Sequence, residues 1–204
     1  MENKNYEPLG SKMYFEQVAD RYTERSASLL WRWQRHRESI AVFSLLGDVE
    51  GLNILDLGCG AGYYTRCCLD RGVGEVTAVD FSPRMIEQLP KDRVTGVVAD
   101  ATETQLERQF PKIICAGLLE FVVSPEKVLN SALHLVEKEG VMVCLIPPDN
   151  LAGRLYRKFH QRNGVNISLF SKSLFFQLAH GAGWRIDKFK YLFPYTSVYR
   201  LKVG

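Results

Sequence analysis

The chain has 204 residues, of which 46% are hydrophobic and 24% charged, a composition that excludes intrinsic disorder and predicts one globular domain. The formal net charge of +3 is unevenly distributed, because residues 151–204 hold 10 of the 26 Lys and Arg residues but one of the 23 Asp and Glu residues. The last quarter of the chain is therefore strongly basic.

Targeting signals and cysteine usage both favour a cytoplasmic protein. No apolar run approaches the ~20 residues that span a bilayer, and the polar opening of the chain does not resemble a signal peptide. The five cysteines show no C-x-x-C spacing and the four histidines no ligand spacing. We therefore expect reduced thiols and no metal.

Helical periodicity over residues 11–46 is followed by five short apolar runs. These runs are continuous rather than alternating, which is typical of strands buried on both faces of a parallel sheet. They lie at 53–57, 75–80, 94–99, 112–116 and 141–146. Helices are predicted between and after them, at 63–71, 83–89, 125–138 and 171–181.

Local signals mark the ends of these elements. Ser82 and Ser124 each precede a proline, which predicts a serine N-cap, and Gly140 ends the helix over 125–138. Strands at 184–192 and 197–203 are joined so tightly that they must be antiparallel. The predicted fold class is α/β: a Rossmann-like, doubly wound sheet of five parallel strands plus a C-terminal antiparallel hairpin, with helices on both faces.

A glycine-rich turn, I-L-D-L-G-C-G-A-G, covers residues 54–62 at the end of the first strand. Open α/β sheets bind ligands at this edge. The spacing is G-x-G-x-G, so the G-x-G-x-x-G fingerprint of dinucleotide enzymes fails. Asp56, two residues before Gly58, would repel a phosphate and suits a ligand with a positive centre.

Two more aspartates end the second and third strands. Asp80 can accept hydrogen bonds from both hydroxyls of a ribose, and Asp100 can accept one from an adenine amino group. Either residue alone is explained as a helix N-cap or a turn residue. Acids at three successive strand ends indicate a ligand site.

Four segments together resemble the class I S-adenosylmethionine (SAM)-dependent methyltransferases: D-L-G-C-G-A-G at 56–62, V-D-F-S-P-R-M-I at 79–86, V-A-D-A at 98–101 and I-C-A-G-L-L-E-F-V at 114–122. The resemblance is strongest to small-molecule enzymes, including those acting on quinones and Mg-protoporphyrin. It implies SAM as cofactor and S-adenosylhomocysteine (SAH) as product. The residues implied to bind the cofactor are Asp56, Gly58, Cys59, Gly60, Asp80, Phe81, Met85, Asp100, Ala101, Cys115 and Leu118.

The resemblance also divides the single domain, residues 1–204, into functional segments. It implies a helical lid (1–50), a cofactor-binding core (51–146), an acceptor-pocket insertion (147–170), and a final helix with the hairpin (171–204). Candidate substrate-binding residues are Tyr14, Tyr22, Arg157 and His160. The catalytic residues are left unknown, and Glu120 is interpreted as either a packing residue or a substrate contact.

The insertion contains a short amphipathic helix with Leu151, Leu155 and Phe159 on one face. Its other face is basic, formed by Arg154, Arg157, Lys158 and Arg162. This helix could be a solvated face, capture an anionic acceptor, or dock on an acidic surface such as a membrane or a carrier protein. No nucleic-acid partner is expected, and the protein is expected to be a monomer or dimer.

The function predicted from the sequence is methyl transfer from SAM to a small-molecule acceptor, anionic or lipid-like, at an undetermined O, N or C atom. One alternative is a catalytically silent SAM-binding module that acts as a sensor or partner. A nicotinamide-dependent oxidoreductase would have the same type of fold, but the G-x-G-x-G spacing of this chain does not match the G-x-G-x-x-G fingerprint of such enzymes.

Overall fold

The computed structural model describes residues 29–204 and has one seven-stranded sheet in the order β3-β2-β1-β4-β5-β7-β6. β1 to β5 are parallel, whereas β7 is antiparallel to both β5 and β6. The strands are β1 (Asn53–Leu57), β2 (Glu75–Asp80), β3 (Val94–Val98), β4 (Phe110–Ala116), β5 (Val136–Ile146), β6 (Trp184–Leu192) and β7 (Thr196–Val203). The predicted fold class is confirmed.

Helices cover both faces of this sheet. Ile54 packs in a cluster with Val42 of the first helix, while its neighbour Leu55 packs on the opposite face with Val128 and Phe175. The helices are α1 (Leu29–Leu46), α2 (Tyr63–Leu69), α3 (Pro83–Glu87), α4 (Pro125–Leu135), α5 (Leu151–Arg162) and α6 (Lys172–Gly181). Within this described part of the chain, no helix has both the length and the apolarity needed to cross a bilayer.

Two local expectations are wrong. β3 is largely exposed rather than buried on both faces, because it lies at the edge of the sheet and pairs with β2 alone. The helix predicted over 125–138 ends at Leu135, because Val136 already pairs with Phe110 in the sheet.

The predicted N-cap positions of Ser82 and Ser124 are confirmed, each with a proline in the first turn of its helix. Neither serine side chain makes a capping hydrogen bond.

Candidate active site

The loop after β1 is held in one conformation by its glycines and by β2. Gly58 and Gly62 have φ of +75° and +82°, in the left-handed region that favours glycine. A Cβ on Gly58 would lie 2.9 Å from Leu118, so the loop packs directly against the segment after β4. The N–H groups of Gly58 and Cys59 donate to the Val79 carbonyl at 2.8 and 2.9 Å.

Asp80, at the end of β2, joins this loop to α3. Its carboxylate accepts hydrogen bonds from the Gly60 N–H at 2.9 Å and from the Ser82 N–H at 3.0 Å. Burial raises the pKa of this carboxyl, against the lowering effect of three backbone N–H donors, those of Ser82, Gly60 and Phe81. The side chain is half-buried and lies on the wall of a cavity.

This cavity is continuous, has a volume of about 1690 Å³, and runs across the carboxyl ends of the parallel strands. Its wall contains most of the residues that the resemblance implies for the cofactor, namely Gly58, Cys59, Gly60, Asp80, Phe81, Met85, Asp100, Ala101 and Leu118. Asp100 also stabilises its own turn, because Oδ1 accepts from the N–H and the hydroxyl of Thr102 at 2.9 and 2.7 Å.

Two of the expected cofactor residues lie behind the cavity wall. Asp56 is 1% exposed and accepts a hydrogen bond from the Thr65 hydroxyl at 2.6 Å, which ties β1 to α2. Burial raises the pKa of Asp56 to about 6. Cys115 is fully buried beside Cys144. The structure therefore places both residues beneath the site, where they support the residues that line it.

Of the two candidate substrate residues that the structure describes, one lines the cavity and the other does not. His160 lines the cavity, but Arg157 does not. Tyr14 and Tyr22 lie outside the described residues. The cavity wall also carries eight residues outside the expected cofactor set that we call the distal chamber: Glu38, Tyr64, Glu120, Phe121, Tyr156, Phe159, His160 and Tyr195.

Glu120 is a buried carboxyl in the distal chamber. It is 4% exposed, and its Oε2 has no hydrogen-bond partner in the described part of the chain. Burial raises the pKa of Glu120 to about 8, with a smaller contribution from the nearby charge of Glu38. The Glu120 backbone is held in place, because its carbonyl accepts from the Ser168 N–H at 2.8 Å.

Glu38 and Tyr64 are functional candidates that sequence reasoning missed. Glu38 Oε1 accepts from Gln34 Nε2 at 2.8 Å and from the Thr196 hydroxyl at 2.5 Å. Burial raises the pKa of both Glu38 and Tyr64, and the charge of Glu38 adds to the rise for Tyr64. The sequence held no signal for Glu38, because a glutamine and a glutamate four residues apart are an ordinary pair on a helix that also carries three arginines.

His160 lies among aromatic rings in the same chamber. Its ring centroid is 4.5 Å from that of Tyr156, 5.6 Å from Phe121 and 5.7 Å from Phe159, all edge-to-face. Burial lowers the pKa of His160 to about 4, so the imidazole is neutral at pH 7. Its Nδ1 has no hydrogen-bond partner among residues 29–204.

α5 presents its apolar stripe to the outside. Leu151, Leu155 and Phe159 are 77%, 59% and 52% exposed, yet Leu155 and Phe159 also line the cavity. The stripe therefore borders the cavity mouth. Its basic residues do not line the cavity, and one of them, Arg154, pairs with Asp149 at 3.0 Å.

A family model described as "Methyltransferase domain" matches residues 30–188. The chain belongs to this methyltransferase family. The resemblance inferred from the four sequence segments is thereby confirmed.

Curated relatives and solved structures agree with this assignment. A malonyl-[acyl-carrier protein] O-methyltransferase of Acetivibrio thermocellus is 29% identical over 48% of this chain and 36% of its own length. A ubiquinone biosynthesis O-methyltransferase of Neisseria meningitidis serogroup C is 22% identical over 70% of this chain and 64% of its own length. The chain thus spans less than two thirds of either relative.

One solved structure illustrates the shared fold. It is magnesium protoporphyrin IX methyltransferase from Synechocystis PCC 6803 with bound SAH, which superposes with a TM-score of 0.74 and 16% identity. The superposition covers 97% of this chain and 99% of that one. At this identity the likeness shows the fold alone.

Proposed function

We propose that this protein transfers a methyl group from SAM to a small-molecule acceptor. The observation that carries the proposal is one cavity whose wall holds both the glycine loop with Asp80 and a group of aromatic side chains. A methyl donor and an acceptor can therefore meet within the same cavity. Family membership supports the same function.

The cofactor end of the cavity fits a nucleoside that carries no phosphate. The Asp80 carboxylate lies on the wall beside the loop, where it can accept hydrogen bonds from ribose hydroxyls and would repel a phosphate. Phe81 and the buried Met85 supply apolar surface for an adenine, and Asp100 and Ala101 lie at its edge. Bound SAM would supply an electrophilic methyl group, and the residues of the chain would align it and exclude water.

Calorimetry with SAM and SAH tests this proposal directly. We expect both ligands to bind, and Asp80→Ala to weaken both by about tenfold or more, because a charge-assisted ribose contact of roughly 1.5–3 kcal/mol is lost. Asp92→Ala is the matched control, since Asp92 is an exposed carboxylate at the opposite end of the neighbouring strand. The proposal fails if neither ligand binds below about 1 mM. Cofactor binding with no methyl transfer to any component of a metabolite extract would instead favour the silent module.

We further propose that α5 docks on an anionic lipid surface. Three exposed apolar side chains border the cavity mouth, and the basic residues of the same helix lie outside the cavity. This combination is typical of helices that lie at a membrane surface. The hairpin tip continues the apolar rim, because Asn150 donates to the Pro194 carbonyl at 3.1 Å and neighbouring Phe193 is 72% exposed.

Cosedimentation with vesicles tests the docking surface. We expect binding to phosphatidylglycerol vesicles, weaker binding to phosphatidylcholine vesicles, and about tenfold weaker binding by Leu151→Asp, because one inserted leucine is lost. Leu174→Asp on α6, where the leucine is 41% exposed, is the matched control. Equal binding by both variants, or binding to an acyl-carrier protein and not to lipid, would contradict the lipid proposal.

The cytoplasm remains our proposed compartment. All five cysteines are unpaired, and four of them are buried as thiols. Thiols of this kind suit a reducing environment. The proposed lid and insertion boundaries and the monomeric or dimeric state likewise stay predictions.

A further inference from the structure

Two buried polar atoms in the distal chamber lack partners within the described chain, Glu120 Oε2 and His160 Nδ1. Buried polar atoms without partners cost about 1–3 kcal/mol each, so folded proteins rarely keep them without a function. Both residues line the cavity. A ligand that donates hydrogen bonds to both atoms would recover this cost.

The Glu120 carboxyl lies close to the segment that contacts the glycine loop. Its Oε1 lies 3.9 Å from the point where a Cβ on Gly117 would stand. The residue after Gly117, Leu118, packs against Gly58 of the glycine loop. The Glu120 carboxyl therefore lies near the part of the cavity wall that the resemblance assigns to the cofactor.

The charge of the distal chamber opposes an anionic acceptor. Glu38 and Glu120 interact electrostatically, and the charge of Glu38 raises the pKa of Glu120. Three cations also line the cavity, Arg35, Arg66 and Lys127. Arg35 lies 5.2 Å over the Tyr63 ring and lowers the pKa of Glu38 only in part. Arg66 donates to the Gly62 and Gln88 carbonyls at 3.0 and 2.8 Å, beside the glycine loop. The arginines and lysine of α5 do not line the cavity. The capture of an anionic acceptor, one of the roles considered for that helix, is therefore not favoured.

The remaining walls of the chamber are aromatic. Tyr64, Phe121, Tyr156, Phe159 and Tyr195 line the same cavity. Aromatic faces attract an ammonium group and exclude water around it. The positive charge of a bound ammonium would lower the pKa of a neighbouring carboxyl, so that it ionises and releases its proton to water. Such carboxyls together with aromatic faces form a site for an organic cation.

We infer that the acceptor is an amine, bound through its N–H groups to Glu120 and His160 and methylated on that nitrogen. This inference rests on the methyl-transfer function proposed above and specifies the acceptor for the same site. An amino group has enough N–H donors for both unpartnered atoms. A hydroxyl group has one donor, and a carboxylate has none.

The reaction balances with the groups present. The Glu120 carboxylate accepts one proton from the ammonium, which frees the nitrogen lone pair. That lone pair forms the new N–CH3 bond while the bond between the methyl carbon and the sulfonium sulfur breaks. The bonding electrons move to sulfur, which becomes neutral in SAH, and the proton on Glu120 leaves to water after product release. A carboxyl whose pKa is about 8 is suited to this exchange near neutral pH.

Three probes that share one phenylethyl frame test the inference: 2-phenylethylamine, 2-phenylethanol and 3-phenylpropionate. Each is titrated by NMR into the protein saturated with SAH, so no turnover is needed. We expect the amine to bind at least about tenfold more tightly than the other two. The inference is overturned if the alcohol or the carboxylate binds as tightly, or if the amine does not bind at about 10 mM.

Glu120→Gln identifies the residue responsible, because at nearly constant volume it removes the one group that would ionise beside a bound ammonium. We expect the amine to lose about tenfold in affinity while the alcohol and SAH bind as before. Glu126→Gln, on the exposed first turn of α4, is the matched control. An amine preference that survives Glu120→Gln would overturn the role of Glu120. Failure of SAH itself to bind would instead count against the methyl-transfer proposal.

Discussion

Asp56 and Glu120 are both buried carboxyls, but their surroundings differ. Asp56 receives a hydrogen bond from Thr65, whereas Glu120 keeps an oxygen without a partner on the cavity wall. Burial raises the pKa of Asp56 to about 6 and that of Glu120 to about 8. A strongly shifted carboxyl in a cavity indicates a functional site, whereas a satisfied one behind the wall indicates support for the loop.

The shifted pKa of Glu120 has a consequence for stability. Its folded pKa of about 8 lies above the ordinary value of 4.5, so the native state holds a proton that the unfolded chain releases between these pH values. The free energy of unfolding therefore falls as pH rises from 4.5 to 8. We expect Glu120→Gln to match the wild type near pH 5 and to exceed it by about 2–4 kcal/mol at pH 8.5.

Urea denaturation of both proteins across this pH range measures the difference. Burial lowers the pKa of His160 to about 4, so below pH 6.5 the unfolded chain takes up a proton at this residue before the folded protein does. His160 therefore makes the free energy of unfolding fall as pH decreases, which is opposite in sign to the effect of Glu120. Asp56 titrates in both proteins and cancels in the comparison. A stability difference that does not change with pH would show that Glu120 is ionised in the folded protein as in the unfolded one.

At the scale of elements, the glycine loop depends on more than backbone freedom. Gly62 has φ +82°, and a Cβ there would lie 2.5 Å from Leu89 Cδ2. We expect Gly62→Ala to lower the free energy of unfolding by about 2–4 kcal/mol, from backbone strain together with this contact. Chemical denaturation gives the value.

Gly164→Ala separates the two effects. Gly164 has φ +79°, but nothing lies within 4 Å of a Cβ at that position, so its substitution introduces strain alone. We expect a loss of about 1–2 kcal/mol for this variant. Equal losses in the two variants would mean that Leu89 moves aside at no cost.

α5 shows the limit of periodicity as a guide to packing. The sequence predicts an amphipathic helix, and Leu151–Arg162 is one, but the inner face carries Gly153, Tyr156 and His160 rather than the leucines. A Cβ on Gly153 would lie 2.0 Å from the Pro148 carbonyl oxygen, so the glycine permits a close backbone approach. Hydrophobic spacing identifies an apolar stripe on a helix. Whether that stripe faces the core depends on how the helix packs against the rest of the protein, which the spacing does not show.

At the scale of the whole molecule, the position of the site follows from local patterns, whereas the order of the strands was not predicted. Continuous apolar runs and the glycine turn predict where parallel strands end, and Asp80 and Asp100 lie at those ends. Glu38 could not be predicted, because it reaches the site from α1, far away in sequence. Its role depends on how the helix packs against β7 and on its bond with Thr196, which no local pattern encodes.

The uneven charge of the chain has a location in the structure. Five carboxyl side chains line the cavity, those of Glu38, Asp80, Asp100, Glu103 and Glu120, and all five come from the acidic first part of the chain. Three cations line it as well, Arg35, Arg66 and Lys127, whereas the basic side chains of α5 lie outside it. The cavity wall therefore holds more carboxyls than cations, and the exposed helix beside it is basic.

β7 lies between β5 and β6, although it follows both in the chain. During synthesis on the ribosome, the five parallel strands can therefore assemble while the side of β5 that receives β7 is still open. That open edge includes Val141 and Val143, which are buried once β7 pairs with β5. Until the final strand has left the exit tunnel, the nascent chain presents an unpaired apolar edge, the kind of surface that chaperones shield and that leads to aggregation.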